Sequence, residues 1–213
     1  MKVTKFTVNP FGENTFIAWD ENTRQAIIID PGMMQDHERE VVVKFVEDNQ
    51  LKMQQVLLTH GHIDHIAAAR WMADRYGITV AASPHDQLYY QMLPMQAQHF
   101  RLRIELDELT IDCPLHEGDV IELGDEKIHV FETPGHSQGG LIFYAPDSAL
   151  AFTGDTIFEG SIGRTDLSGG DYNVLIASIR DKVLTLPSDT MLIPGHGPTT
   201  TVANERDYNP YLV

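Results

Sequence analysis

The sequence predicts an α/β protein in which two β-sheets pack together with helices on the outside. Three observations carry this. Short β-rich apolar runs recur in both halves of the chain, segments with helical spacing of apolar residues alternate with them, and no Gly/Ser-rich linker separates the halves. The 213 residues, 42% of them hydrophobic and 22% charged, are enough for one sizeable core, so a single domain over residues 1–213 is expected.

In chain order, residues 3–8, 15–19 and 25–29 read as strands, punctuated by Asn9-Pro10-Phe11-Gly12 and Asp20-Glu21-Asn22. Asp36 is expected to N-cap a helix with acids in its early turns and Val42, Phe45 and Val46 on one face. Val56-Leu57-Leu58 is expected as a buried strand whose C-terminal end runs into a histidine motif. The helix after that motif, through Ala67, Trp71 and Met72, should stop at Gly77, and Ser83-Pro84 should open another. Residues 93–118 lack clean periodicity and are expected to form an irregular or helical insertion able to lid a site. Strands follow at 120–123, 127–132, 141–144 and 149–152. A helix begins near Asp171 with Ile176, Ile179 and Val183 at helical spacing and ends before Pro187, and Met191-Leu192-Ile193 is a last buried strand.

Charge narrows the partners. With 31 acidic against 15 basic residues, the net charge of −16 repels phosphate backbones and anionic membranes, which argues against nucleic acid or a membrane surface. Two bound dications would contribute about four positive charges in one cleft, enough to receive an anionic small molecule. No apolar run approaches the roughly 20 residues that span a bilayer. Met1-Lys2-Val3-Thr4-Lys5 lacks the apolar core of a signal peptide, so a cytoplasmic location is expected. The single cysteine, Cys113, excludes an internal disulfide and reads as a small packed side chain, not a nucleophile.

Seven potential metal ligands stand out. The run Thr59-His60-Gly61-His62-Ile63-Asp64-His65 holds four, and His136, Asp155 and His196 each follow a glycine. Nitrogen and carboxylate donors at that density suit two borderline cations better than one. In extended backbone just past a strand, His60 and His62 project to the same side and can share one metal. His65 belongs to the first turn of the next helix with Asp64 beside it aimed elsewhere, so one short loop supplies ligand pairs for two adjacent ions. Three histidines and an aspartate within six residues serve no packing purpose. Thr133-Pro134-Gly135-His136-Ser137, Phe152-Thr153-Gly154-Asp155-Thr156 and Ile193-Pro194-Gly195-His196-Gly197 repeat one pattern, a donor directly after glycine at the end of an apolar strand. His37, His85, His99, His116 and His129 are expected to be bystanders.

The order HxHxDH, then His136, Asp155 and His196, resembles the metallo-β-lactamase superfamily, whose fold is a four-layer αββα sandwich with two mixed sheets and a dinuclear site at one edge. The resemblance runs from Asn9-Pro10-Phe11-Gly12-Glu13-Asn14 to the closing Asn209-Pro210. The Gly160-Ser161-Ile162-Gly163-Arg164-Thr165-Asp166 stretch and Pro194-Gly195-His196-Gly197-Pro198 look most like the short glyoxalase II-like hydrolases. The resemblance implies that His60, His62 and His136 hold one metal, that Asp64, His65 and His196 hold the other, and that Asp155 bridges them. It implies two divalent ions, zinc foremost with iron or manganese as alternatives, sharing a hydroxide that attacks a thioester carbonyl. Asp64 would also orient that hydroxide. The expected reaction is hydrolysis of S-(hydroxyacyl)glutathione, such as S-lactoylglutathione, or of a similar small-molecule thioester.

Departures qualify the substrate. The glyoxalase II enzymes that grip glutathione do so with basic residues on a helical C-terminal extension, whereas this chain ends 17 residues beyond His196, so that grip is expected to be absent. Arg164 matches the family's basic contact, but the aromatic two positions on is here Asp166, so Arg164 reads either as a substrate contact or as half of a structural pair. Phe100 and Arg101, in the insertion, are further candidate substrate contacts. Competing readings are a persulfide dioxygenase with one iron on His60, His136 and Asp155, a lactone hydrolase, and a non-catalytic metal-binding scaffold, which would have lost a ligand. A β-lactamase of the di-zinc cysteine class would carry a thiolate where Asp155 stands. The motifs leave the acyl group, the thiol carrier, the native metal and the oligomeric state open.

Overall fold

The N-terminal β-rich runs assemble, in the computed structural model, which describes residues 1–213, into a six-stranded mixed sheet. Its strands β1 (Lys2–Val8), β2 (Glu13–Trp19), β3 (Gln25–Ile29), β4 (Lys52–Leu57), β5 (Thr79–Ala82) and β6 (Cys113–Pro114) lie in sequence order. The first three pair antiparallel and β3 to β6 pair parallel. Parallel neighbours need crossovers. Here α1 (Asp36–Asp48) joins β3 to β4, and α2 (Ile63–Ile66) with α3 (Ala69–Tyr76) joins β4 to β5. Between β5 and β6 run α4 (Gln87–Gln91), α5 (Leu93–His99) and the irregular stretch 100–112, so the expected insertion is helical at its start.

The second sheet contains β7 (Val120–Leu123), β8 (Glu126–Glu132), β9 (Leu141–Ala145), β10 (Leu150–Gly154), β13 (Met191–Pro194) and β14 (Thr200–Thr201), ordered β14-β13-β10-β9-β8-β7. A small hairpin, β11 (Ile157–Phe158) with β12 (Ser161–Ile162), precedes α6 (Tyr172–Ser178), and α7 (Val202–Tyr208) follows β14.

Alternation along the strands sets the layering. On one face of the first sheet, Ile28 and Val56 pack with Val42, Val46 and Met72 from α1 and α3. On its other face, Phe16, Ile27, Ile29 and Leu57 meet Val130, Phe143, Phe152 and Ile193 of the second sheet. Beyond that sheet, Ile142, Ala151 and Leu192 pack on Leu175, Ile179 and Val183, where α6 is continued by a π-helical turn over Ile179–Val183. With both faces of each sheet covered, central strands such as β3 and β9 read as nearly continuous apolar runs. The architecture is the four-layer αββα sandwich. No helix is long and apolar enough to cross a membrane.

Two helix boundaries differ from expectation. Gln35, not Asp36, is the N-cap of α1, because Glu38 Oε2 accepts the Gln35 N–H at 2.9 Å and so sets the first turn one residue earlier. The helix after the histidine motif is broken in two, since the Ala68 N–H is drawn to the Pro31 carbonyl at 2.8 Å. Gly77 terminates α3 at φ 64°, as its sequence position implies.

Candidate metal centre

The candidate ligands gather beyond strand ends on one edge of the sandwich, two of them in the short helix that follows β4. β8 and β10 each pair antiparallel with β9, and β10 pairs parallel with β13, so these three strands run the same way and end at the same edge. Their ends carry His136, Asp155 and His196. The first sheet joins that edge where the Leu141 N–H donates to the Thr59 carbonyl at 2.7 Å, beside His60. His62 then N-caps α2, and Asp64 and His65 fall in its first turn. Glycine is required at two of the strand ends. Gly135 adopts φ 128°, and a Cβ at Gly195 would lie 2.5 Å from His65 Cε1 and 2.6 Å from Asp155 Oδ1.

The donors fall into two principal groups, His60 with His62 and His136, and Asp64 with His65 and His196, each with ligand atoms within 4.8 Å of one another. Asp155 faces both: Oδ1 is 3.4 Å from His65 Nε2, and Oδ2 is 3.6 Å from His136 Nε2 and 3.7 Å from His196 Nε2. Asp64 Oδ2 lies 3.2 Å from His196 Nε2 and 3.7 Å from His65 Nε2. The Nε2 atoms of His60, His62, His65 and His136 and Oδ1 of Asp155 are buried without a hydrogen-bond partner. An unsatisfied buried polar atom costs about 1–3 kcal/mol, so five such atoms among these neighbouring groups call for bound partners. A pair of divalent cations fits that donor set.

Charge differs between the two groups. Burial, with His65, His62 and His136 nearby, pushes His60 well below the usual imidazole range. Burial and His136 push His62 down to about 3, so both present neutral lone pairs. At His65 burial opposes charge, but Asp155 and Asp64 outweigh it and raise that imidazole well above its ordinary value. Asp155 and Asp64 are held low: burial works against ionisation, and His65 overrides it at both.

The imidazoles are aimed by their other nitrogen. His65 Nδ1 is 2.9 Å from Asp30 Oδ2, His136 Nδ1 is 2.8 Å from the Arg164 carbonyl, and His60 Nδ1 is 3.1 Å from Thr59 Oγ1. Asp30 forms a third donor group with His60 and His65. Its oxygens are already engaged by the Thr59 N–H at 2.7 Å, the Thr59 hydroxyl and His65, so it orients ligands and is not one itself. A second buried carboxylate, Asp86, ties the two histidine loops together. Oδ2 accepts the Gly61 N–H and the Ser137 hydroxyl, both at 2.8 Å, and Oδ1 accepts the Gly139 N–H at 2.7 Å. Burial raises its pKa. The His196 loop is fastened by Asn14, whose Nδ2 donates to the carbonyls of Pro194 at 3.1 Å and Gly197 at 3.0 Å.

Sequence reasoning missed Asp30, Asp86 and Asn14. Asp30 had a signal, since it directly follows an apolar strand as Asp155 nearly does. Asp86 and Asn14 had none, because their role lies in partners 51 and 180 or more residues away. None of His37, His85, His99, His116 and His129 enters a donor group.

Over the donors lies a cleft of about 240 Å³ walled by Phe11, Gln96, Phe100, Arg164 and Leu167. Phe100 faces Phe11 edge-on at 5.3 Å across its mouth. Arg101 is exposed at φ 55° and does not line the cleft. Arg164 lines it but is closed on Asp166 by two bonds of 2.7 Å, which pull that carboxyl down to about 2. Cys113 lies in β6, against the core between the sheets.

Known proteins resemble this chain in sequence and fold. The sequence pattern of the metallo-beta-lactamase superfamily matches residues 8–196. Hydroxyacylglutathione hydrolase GloC of Haemophilus influenzae is 37% identical, covering 100% of this chain and 98% of its own length. The crystal structure of BLEG-1 B3 metallo-beta-lactamase matches with a TM-score of 0.89 at 34% identity, covering 100% of both chains. That of TTHA1623 in a di-iron-bound form matches at 0.86 and 34%, covering 98% of this chain and 100% of the other. Likeness of that extent in sequence and in fold means that the chain belongs to the metallo-beta-lactamase superfamily.

Proposed function

We propose that residues 1–213 form one metal-dependent hydrolase domain, a thioesterase acting on S-(hydroxyacyl)glutathione or a similar small-molecule thioester. The observation that carries the reading is the pair of donor groups sharing Asp155, with five buried donor atoms otherwise unpartnered. Full-length likeness to a hydroxyacylglutathione hydrolase supports the substrate class. In this reading His60, His62 and His136 would hold one ion, Asp64, His65 and His196 would hold the second, and Asp155, which faces both groups, would serve the two together. Zinc fits these nitrogen and carboxylate donors, as iron or manganese does. When bound, such a pair supplies a water that ionises near neutral pH and positive charge against the developing oxyanion.

The chain's own residues do the rest. Asp64, a carboxylate held below its ordinary pKa, faces the cleft at 3.2 Å from His196 and orients the attacking water by accepting its hydrogen. Phe11 and Phe100 wall the cleft from bulk water. The departing thiolate needs no strong acid, since a thiol ionises at about pH 8.5.

The test is metal content of protein made without added metal, paired with rates on thioester, lactone, persulfide and β-lactam substrates. About two metals per chain and dominant thioester hydrolysis are expected. Saturation at one iron, with oxygen consumed on adding glutathione persulfide, would replace the reading with a dioxygenase.

A further inference from the structure

Beyond His62 the cleft opens into a second hollow of about 380 Å³, lined by Tyr89, Met92, Met95, His99, Phe100 and Leu167. His62, Gln96, Phe100 and Leu167 wall both spaces, so the hollow is continuous with the metal centre. Gln96 fixes that junction, accepting the Ile63 N–H at 3.0 Å and donating to the Gly61 carbonyl at 3.1 Å. The Tyr89 hydroxyl bonds the Ser168 carbonyl and closes the far rim.

No lysine, arginine or carboxylate lines the hollow. The one cation over the neighbouring cleft, Arg164, is already spent on Asp166. Apart from the metal centre itself, the carboxylates of glutathione therefore meet no unpaired lysine or arginine in either space, while Met95 and Phe100 stand 59% and 44% exposed in a chain of net charge −16. Flexible methionine and aromatic side chains left in contact with water beside a reaction centre suit an apolar ligand. The volume falls within the roughly 300–1,000 Å³ typical of small-molecule sites.

We propose that this hollow receives an apolar, aromatic-sized arm of the thioester, attached to the reacting carbonyl beside His62. The inference rests on the thioesterase reading and deepens it, because the hollow then selects for an aryl arm over a methyl. That arm can belong to the acyl group or to the thiol, and two substrate series separate them. The first compares S-mandeloylglutathione with S-lactoylglutathione, and the second compares the lactoyl thioesters of benzyl thiol and of glutathione. Each kcat/KM is normalised to the thioester's hydroxide-catalysed rate.

One series is expected to favour its aryl member by about tenfold or more, and that series names the arm. Met95→Glu should cut the preference about tenfold, and Met95→Leu should retain it. Both members of a ratio are measured on one preparation, so partial unfolding cancels. Ratios near one in both series overturn the proposal, whether light scattering then finds a second copy of the chain covering the hollow or not. An undiminished preference in Met95→Glu overturns it as well. Failure to cleave any of the four thioesters overturns the thioesterase reading too, a result distinct from cleavage without preference.

Discussion

Asp155 presents one oxygen to His65 and the other to His136 and His196, so a single carboxylate faces both donor groups. Replacing it with alanine leaves two cations without the negative charge they share. Asp155→Ala is expected to lose metal and nearly all hydrolysis, read by metal analysis and turnover, and Cys113→Ser to keep both. Full metal and full rate in Asp155→Ala would remove the bridging assignment and the two-metal mechanism with it. Asp86 acts one step further out, because it fixes the backbone just before His62 and three residues after His136 and belongs to no donor group itself. Losing such a partner costs about 10–100-fold in metal affinity. Asp86→Ala should therefore weaken binding at the His60, His62 and His136 group, leaving the Asp64, His65 and His196 group tighter, so a metal titration should resolve into two unequal steps.

At the scale of elements, α5 is held onto the histidine motif by Gln96 and carries Phe100 to the cleft mouth at its end. Loss of an aromatic contact is worth about 0.5–1.5 kcal/mol, so Phe100→Ala should raise KM about two- to tenfold. Arg101→Ala should leave KM unchanged, and an equal effect of the two would assign the insertion's contribution to charge. The β2–β3 turn tests pH dependence. Asp20 Oδ1 accepts the N–H groups of Asn22 and Thr23 at 2.9 and 2.7 Å and the Thr23 hydroxyl at 2.9 Å, and these bonds, that of the Thr23 amide first, lower its pKa. A depressed folded pKa contributes stability above the unfolded value of about 3.9, lost as pH falls through the folded one. The Tm gap between wild type and Asp20→Ala should accordingly be full at pH 7 and narrow below about pH 4. A gap constant across that range would show that the turn depends on shape and not on charge.

For the whole molecule, the layer between the sheets decides whether the two sets of strand ends meet. Phe152, 1% exposed, packs against Phe16 across that layer with ring centroids 5.5 Å apart. Phe152→Ala should cost about 3–5 kcal/mol through lost burial and a cavity. At about 2–4 °C per kcal/mol for a chain of this size, Tm should fall on the order of 10 °C by calorimetry. A fall under about 3 °C would mean that the sheets close up around the gap.

Most strands of the two sheets were legible in the sequence because their alternation and apolar runs are local and strong, as at residues 25–29 and 127–132. The short hairpin of β11 and β12 and the terminal helix α7 were not, since a few residues carry no period. The seven candidate ligands were also legible, because a donor after glycine at a strand end is a local pattern, and the HxHxDH run is dense. By itself, then, the sequence determined the donor chemistry and the sandwich class. Tertiary structure decided which donors share a group, that Asp30 and Asp86 aim and link them, that Arg164 is occupied by Asp166, and that an uncharged hollow adjoins the cleft. The physical reason is range: propensity and periodicity act over a few residues, whereas these contacts join residues as far apart as Asp64 and His196 and exist only once the two sheets have packed face to face.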